Sequence, residues 1–195
     1  MVVLNQSSTM KSALSIIAVA SLFVSATAFA QKNGDVYGEF SYARATMKDE
    51  STNNLGTFKP SAGRFTLGTV VSNNIALEGF VQQGLSASSH AVGNNNIELK
   101  LKTGYGLAVR PFINVTDSIE LYGRIGSVRN GYSATVTASN GASASESDKT
   151  TNTMYGGGLA YKLNNKAALV FDYSKLNKKD DTAVSIVSVG VRFGF

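Results

Sequence analysis

From Ile97 to Arg110 two kinds of residue take strict turns. Ile97, Leu99, Leu101, Thr103, Tyr105, Leu107 and Val109 fall on one side, and Glu98, Lys100, Lys102, Gly104, Gly106, Ala108 and Arg110 on the other. A period of two is the side-chain repeat of an extended strand; on a helix the same apolar residues would scatter around the cylinder. The segment therefore predicts a long β-strand with one apolar and one charged face. The alternation recurs along the chain. Val36, Gly38, Phe40 and Tyr42 share a face over 36–44. Phe65, Leu67, Thr69 and Val71 precede the turn Ser72-Asn73-Asn74, and Ile75, Leu77, Gly79 and Val81 follow it. Ile119, Leu121, Gly123 and Ile125 form a further strand. Tyr155, Gly157, Leu159, Tyr161 and Leu163 then lead through Asn164-Asn165 into Ala167, Leu169, Phe171 and Tyr173. The chain closes on Val187, Val189, Val191, Phe193 and Phe195, which alternate with Ser188, Gly190, Arg192 and Gly194. These are eight strands, and their short turns make neighbours antiparallel in an up-and-down meander.

Connections differ in length in a regular way. Those after strands two, four and six are short, while 46–60, 84–96, 129–152 and 175–182 are long. Long and short connections thus fall on opposite ends of the sheet. The longest stretch, 130–152, is rich in Ser, Ala, Thr, Asn and Gly and reads as a solvated loop and a candidate recognition surface.

A final strand with five apolar residues on one face would leave an aggregation-prone edge in a soluble sheet. A closed barrel in lipid removes that edge and wants the apolar face outward. A soluble, lipocalin-like barrel would turn the same face inward. The N-terminus favours export: Ala13 to Phe29 is mostly apolar, follows Lys11 and ends at Ala28-Phe29-Ala30 before Gln31. This fits a signal peptide over 1–30, cleaved between Ala30 and Gln31, with Met10-Lys11 as an alternative start. Residues 31–195 then form one all-β domain, an eight-stranded antiparallel transmembrane β-barrel.

With the apolar face outward, Glu39, Glu78, Glu98, Glu120 and Asp172 lie inside with Arg64, Lys100, Lys102, Arg110, Arg124, Lys162 and Arg192. Leu101 then faces lipid. A barrel of eight strands has an interior just wide enough for side chains to fill. The twelve charges are therefore expected as a paired plug, not as the lining of a broad channel.

Cysteine is absent, so disulfides, a catalytic thiol and a lipidated cysteine are excluded. The net charge of +5 is spread without a basic run and gives nucleic-acid binding no support. No catalytic, metal-ligating or cofactor-binding set is expected. The one histidine, His90 in Ser88-Ser89-His90-Ala91, lacks an orienting acid nearby in sequence and reads as a solvated residue.

The run Met154-Tyr155-Gly156-Gly157-Gly158-Leu159-Ala160-Tyr161-Lys162-Leu163-Asn164-Asn165-Lys166-Ala167-Ala168-Leu169, with Phe171-Asp172-Tyr173 and the closing Val189 to Phe193, resembles the small eight-stranded outer-membrane barrels. That family includes attachment-invasion and OmpX-like proteins and the OmpA transmembrane domain. The resemblance implies a bacterial outer-membrane location, with outer-membrane lipid and lipopolysaccharide as surroundings. It implies an assembly signal at Val187, Val189, Val191, Phe193 and Phe195 for the barrel assembly machinery, and loops that contact host or surface ligands. A narrow diffusion pore is the alternative, and a lipid A-modifying enzyme the third reading. Lys175, Lys178 and Lys179, beside Asp180 and Asp181, are expected as lipopolysaccharide contacts.

Overall fold

The computed structural model describes residues 33–49, 57–179 and 182–195. The signal segment and the Ala30/Gln31 junction lie outside the described residues. The strands are β1 (Val36–Asp49), β2 (Thr57–Phe58), β3 (Ser61–Ser72), β4 (Ile75–Val92), β5 (Asn95–Asn114), β6 (Ile119–Thr137), β7 (Ser143–Lys162), β8 (Ala167–Lys179) and β9 (Thr182–Gly194). Every neighbouring pair is antiparallel in sequence order, with two-residue β2 as an appendage of β1. β9 pairs back onto β1 from Tyr37↔Gly194 to Asp49↔Thr182 and closes an eight-strand ring.

Closure leaves no strand of the ring without a partner on either side, as hydrocarbon demands. Phe40, Leu67, Leu77, Val81, Leu107, Ile125, Phe171, Val187 and Val189 are all exposed on the outer face. Leu107 is 72% exposed. Glu39, Glu78, Arg110, Glu120, Arg124 and Arg192 are buried inside. The barrel is thus inverted relative to a soluble one, with apolar residues out and charges in. Short turns lie at one end; that between β3 and β4 is made tight by Asn74, whose φ of 70° suits asparagine.

The long connections are shorter than the alternation suggests. Most of 84–96 and 129–152 continues as strand, so that β4 to β7 reach 18, 20, 19 and 20 residues. About 9 to 11 residues cross a membrane as a tilted strand. The upper halves of β4–β7 therefore stand beyond the apolar band as two hairpins. Their tips are short; Gly93 at φ 59° makes the β4–β5 turn. The Ser, Thr and Ala content of 130–152 is compatible with strand because hydroxyl pairs such as Thr135 Oγ1 and Ser145 Oγ, 2.6 Å apart, bridge β6 and β7.

One part of the inside and outside assignment is corrected. β5 carries an extra residue against β6: Leu101 pairs with Tyr132, but Gly104 pairs with Asn130. This bulge at Lys102 and Thr103 reverses the faces, because one added residue moves every later side chain across the sheet. Below it Gly104, Ala108 and Arg110 point inward, as expected; above it Ile97, Leu99 and Leu101 do, and Glu98, Lys100 and Lys102 are exposed. Leu101 is 5% exposed and packs in an interior cluster with Ala43, Met47, Phe80, Val128 and Met154. Leu101→Ala should then cost about 2 to 5 kcal/mol through the cavity it leaves. Lys100→Gln should stay within about 0.5 kcal/mol. Reversible unfolding from lipid vesicles checks the order, and the reverse ranking would place the bulge elsewhere.

Candidate functional site

Three layers fill the lumen. At the short-turn end Tyr37, Val70, Ala76, Phe112, Tyr122, Ala160, Ala168 and Val170 are buried together. At the opposite end a second buried cluster packs around Leu101 and Met154, with Phe58, Leu176 and Ile186 among its members. The charges expected inside lie among these layers, reduced to Glu39, Glu78, Glu120 and Asp172 with Arg64, Arg110, Arg124 and Arg192.

Arg124 is the hub. Its Nε donates to Glu78 Oε2 at 2.6 Å, its Nη1 to Asp172 Oδ2 at 2.6 Å, and its Nη2 lies 3.6 Å from Glu39 Oε1. Arg192 bridges Glu39 Oε2 and Glu120 Oε1, both at 3.0 Å. Arg110 Nη2 pairs with Glu120, and its Nε lies 3.5 Å from Glu78 Oε1. The Tyr37 hydroxyl donates to Glu78 Oε1 at 2.7 Å. Aromatic rings cover the guanidinium planes: Arg110 sits 4.1 Å from the Tyr122 ring centroid and Arg192 4.8 Å from that of Tyr37. Inward-facing Gly68 and Gly158 make room for these rings, since a Cβ on either would collide with Tyr37 or Tyr122. Each acid receives planar, bidentate-capable donors, which suits arginine better than lysine, and among the described residues no lysine joins the network.

Arg64 is set apart. Among the described residues no carboxylate lies within ion-pair distance of it; its Nε donates to Gln82 Oε1 at 3.3 Å and its guanidinium stacks 5.1 Å from the Phe80 centroid. Gln82 passes the polar chain on to Asn130 at 2.7 Å. Lys162 is half-buried at the short-turn rim, where its Nζ donates to Asn114 Oδ1 at 2.9 Å, outside the central cluster.

Outside the barrel, exposed cations stand on β1, β5, β6, β7 and β8. Arg44, Lys102, Arg129, Lys149 and Lys175 are all exposed. Tyr105 is the register partner of Arg129, and Tyr155 that of Lys175. Tyrosine beside cations at the edge of an apolar band is the composition of a membrane interface. Of the expected lipopolysaccharide contacts only Lys175 has a described side chain; those of Lys178 and Lys179 lie outside the description. Arg129 was legible in the sequence, as the continuation of the outward set Ile125 and Ser127, but a reading of 129 onward as loop passes over it. His90 lies near the top of β4, its ring edge-on to Phe58 with centroids 6.1 Å apart. Phe195 continues the closing seam: its N–H donates to Val36 O at 2.9 Å, and its ring covers Gly38.

The model of the family described as outer membrane protein beta-barrel domain matches residues 16–195. No curated protein matches by sequence. Among solved structures, the chain is similar to Ail, the attachment invasion locus protein of Yersinia pestis, at 18% identity and TM-score 0.60, covering 84% of this chain and 100% of that one. Ail has also been solved in complex with the heparin analogue sucrose octasulfate. Neisserial surface protein A matches at 16% identity and TM-score 0.58, over 82% and 97% of the two chains. OprG from Pseudomonas aeruginosa matches at 12% identity and TM-score 0.53, over 85% and 97%. At these identities the likeness is one of fold.

Proposed function

We propose, from the premise that this chain belongs to the outer membrane protein β-barrel domain family, that it is a closed barrel of the bacterial outer membrane that works through its exterior without conducting. The observation that carries this reading is the filled lumen. Arg110, Arg124 and Arg192 are at most 3% exposed, and an apolar layer lies at each end of the bore. A permeant ion would have to break several charge-assisted hydrogen bonds and displace packed side chains, whereas a pore keeps a continuous aqueous path. The reading is non-enzymatic, and it assigns the work to the projecting β4–β5 and β6–β7 hairpins. Their exposed, hydroxyl-rich surfaces offer donors and acceptors for polymeric or glycan ligands, and Lys102, Arg129 and Lys149 offer cations. Because a fold relative is solved with a sulfated sugar, a heparin-like oligosaccharide is a sensible first probe of these hairpins.

Planar-bilayer recording tests the closed state. Purified, refolded protein should give no stable steps at moderate voltage; reproducible unitary conductance would replace this reading with the narrow-pore alternative. We also retain Lys175, Lys178 and Lys179 as lipopolysaccharide contacts: their replacement by Gln should reduce lipopolysaccharide retention at low salt and have little effect at high salt, where exposed charges are screened over less than about 10 Å.

A further inference from the structure

Above the bulge, β4 to β7 sort their side chains onto two faces of unlike chemistry. Directly paired residues share a face of a sheet. On the side continuous with the lumen, the register sets Ile97 beside Val136, Ala134 beside Glu146 and Tyr132 beside Asp148. Ile97, Leu99 and Tyr132 pack half-buried against the interior cluster that contains Leu101. From that cluster an apolar column rises to Val136, which is 40% exposed. The β7 flank of the column is acidic, with Glu146 and Asp148 both exposed. Lower on the same strand Asn152 Oδ1 is buried with no hydrogen-bond partner among the described residues, so this flank offers acceptors throughout. The opposite face carries the cations Lys100, Lys102 and Lys149. A Cβ on Gly131 would lie 3.1 Å from Lys102 Cβ, and Lys102 Nζ donates to Ser147 Oγ at 2.8 Å, which fixes these residues on that side.

We propose that the lumen-side face of the projecting sheet docks a cationic amphipathic peptide, with the peptide's apolar side on Ile97, Leu99 and Val136 and its lysines or arginines toward Glu146 and Asp148. Charge complementarity selects this occupant. An acidic or sulfated partner meets two carboxylates here and belongs on the opposite face. A second copy of the chain, pairing this face about a two-fold axis, would set the same acids against each other. The dimensions suit one helix. Four strands about 4.8 Å apart span about 14 Å, and the run from Ile97 to Leu101 covers about 13 Å along the strand. A helix about 10 Å across fits that face over about two turns. The proposal rests on the reading above, in which the hairpins face outward and do the protein's work, and adds the chemistry of a partner to it.

Fluorescence anisotropy of a labelled amphipathic Leu/Lys peptide supplies the test, with the full mature chain in nanodiscs of zwitterionic lipid and empty nanodiscs as the blank. The comparison probes are the Leu/Glu analogue and a Leu/Lys peptide of the same composition whose leucines are scattered around the helix. Wild type should bind the amphipathic Leu/Lys peptide in preference to both. An exposed ion pair is worth up to about fivefold in an equilibrium, so E146Q/D148N should bind it roughly tenfold more weakly. Val136→Ser, which removes the exposed end of the apolar column, should weaken it by a similar factor of about ten. K100Q/K102Q/K149Q, on the opposite face, should not weaken it. All these residues are exposed, so the variants should keep the heat-modifiable migration of a folded barrel. Equal binding by wild type and E146Q/D148N, equal binding of the scattered peptide, or a loss in the lysine variant overturns the proposal. Bilayer recording on the same preparations separates the two readings. Conductance with intact peptide selectivity overturns the closed barrel alone, and silence with no selectivity overturns the docking face alone.

Discussion

Replacing Arg124 by Leu is expected to destabilise the barrel by about 3 to 5 kcal/mol, the cost of removing one partner from a buried ion-pair cluster. The side chain contacts Glu78, Asp172 and Glu39 together, and all four residues are buried. Without the guanidinium, Glu78 keeps only the Tyr37 hydroxyl and the 3.5 Å approach of Arg110 Nε, and Asp172 keeps a weak 3.5 Å bond from Ser174. The free energy lost is mainly the desolvation of Asp172, left without a counter-charge, and of Glu78, left with the longer Arg110 pair. Urea unfolding from vesicles measures it. The exposed variant Lys100→Gln serves as the reference, and a loss for Arg124→Leu below about 1 kcal/mol, the range of a surface pair, would mean that the network is hydrated.

Substituting Phe195 by Asp should nearly abolish insertion. The residue's N–H closes the last rung of the β9–β1 seam at Val36, and its ring lies over Gly38, where a Cβ would come within 3.3 Å of it. A carboxylate at this outer, apolar position loses the ring packing and disrupts the C-terminal pattern Val187, Val189, Val191 and Phe193 through which we propose that the assembly machinery engages the chain. Heat-modifiable migration in membrane fractions is the readout. Phe195→Tyr, which keeps ring and shape, should insert normally. Normal insertion of the Asp variant would remove the assembly role while leaving the seam intact.

Much of this architecture is legible from residue order. A period of two is a local property of extended backbone, so the spacing of Phe65, Leu67, Ile75, Leu77, Val187 and Val189 is enough to assign strands and an apolar face. The sign of the interior also follows, since Glu39, Glu78, Glu120 and Asp172 share parity with Arg64, Arg110, Arg124 and Arg192 on their strands, and all eight are buried. The partners within that cluster are not legible. Arg192 and Glu39 are 153 residues apart in sequence, and they meet only because the ring closes between β9 and β1.

The hairpins and the bulge depend on pairing as well. Ser, Thr and Asn alternating with one another carry little amphipathic contrast, so 130–137 and 143–152 look like loop until β6 and β7 supply each other's backbone hydrogen bonds. At Lys102 and Thr103 the ambiguity is chemical. Leu and Ile are satisfied by lipid outside or by other side chains inside, and a lysine above the membrane is satisfied by water. The run from Ile97 to Val109 therefore keeps a perfect alternation while its apolar residues change sides at the bulge. Nothing in the residue types marks the crossing. The register against β6 does, and with it the face on which Lys102 stands beside Arg129.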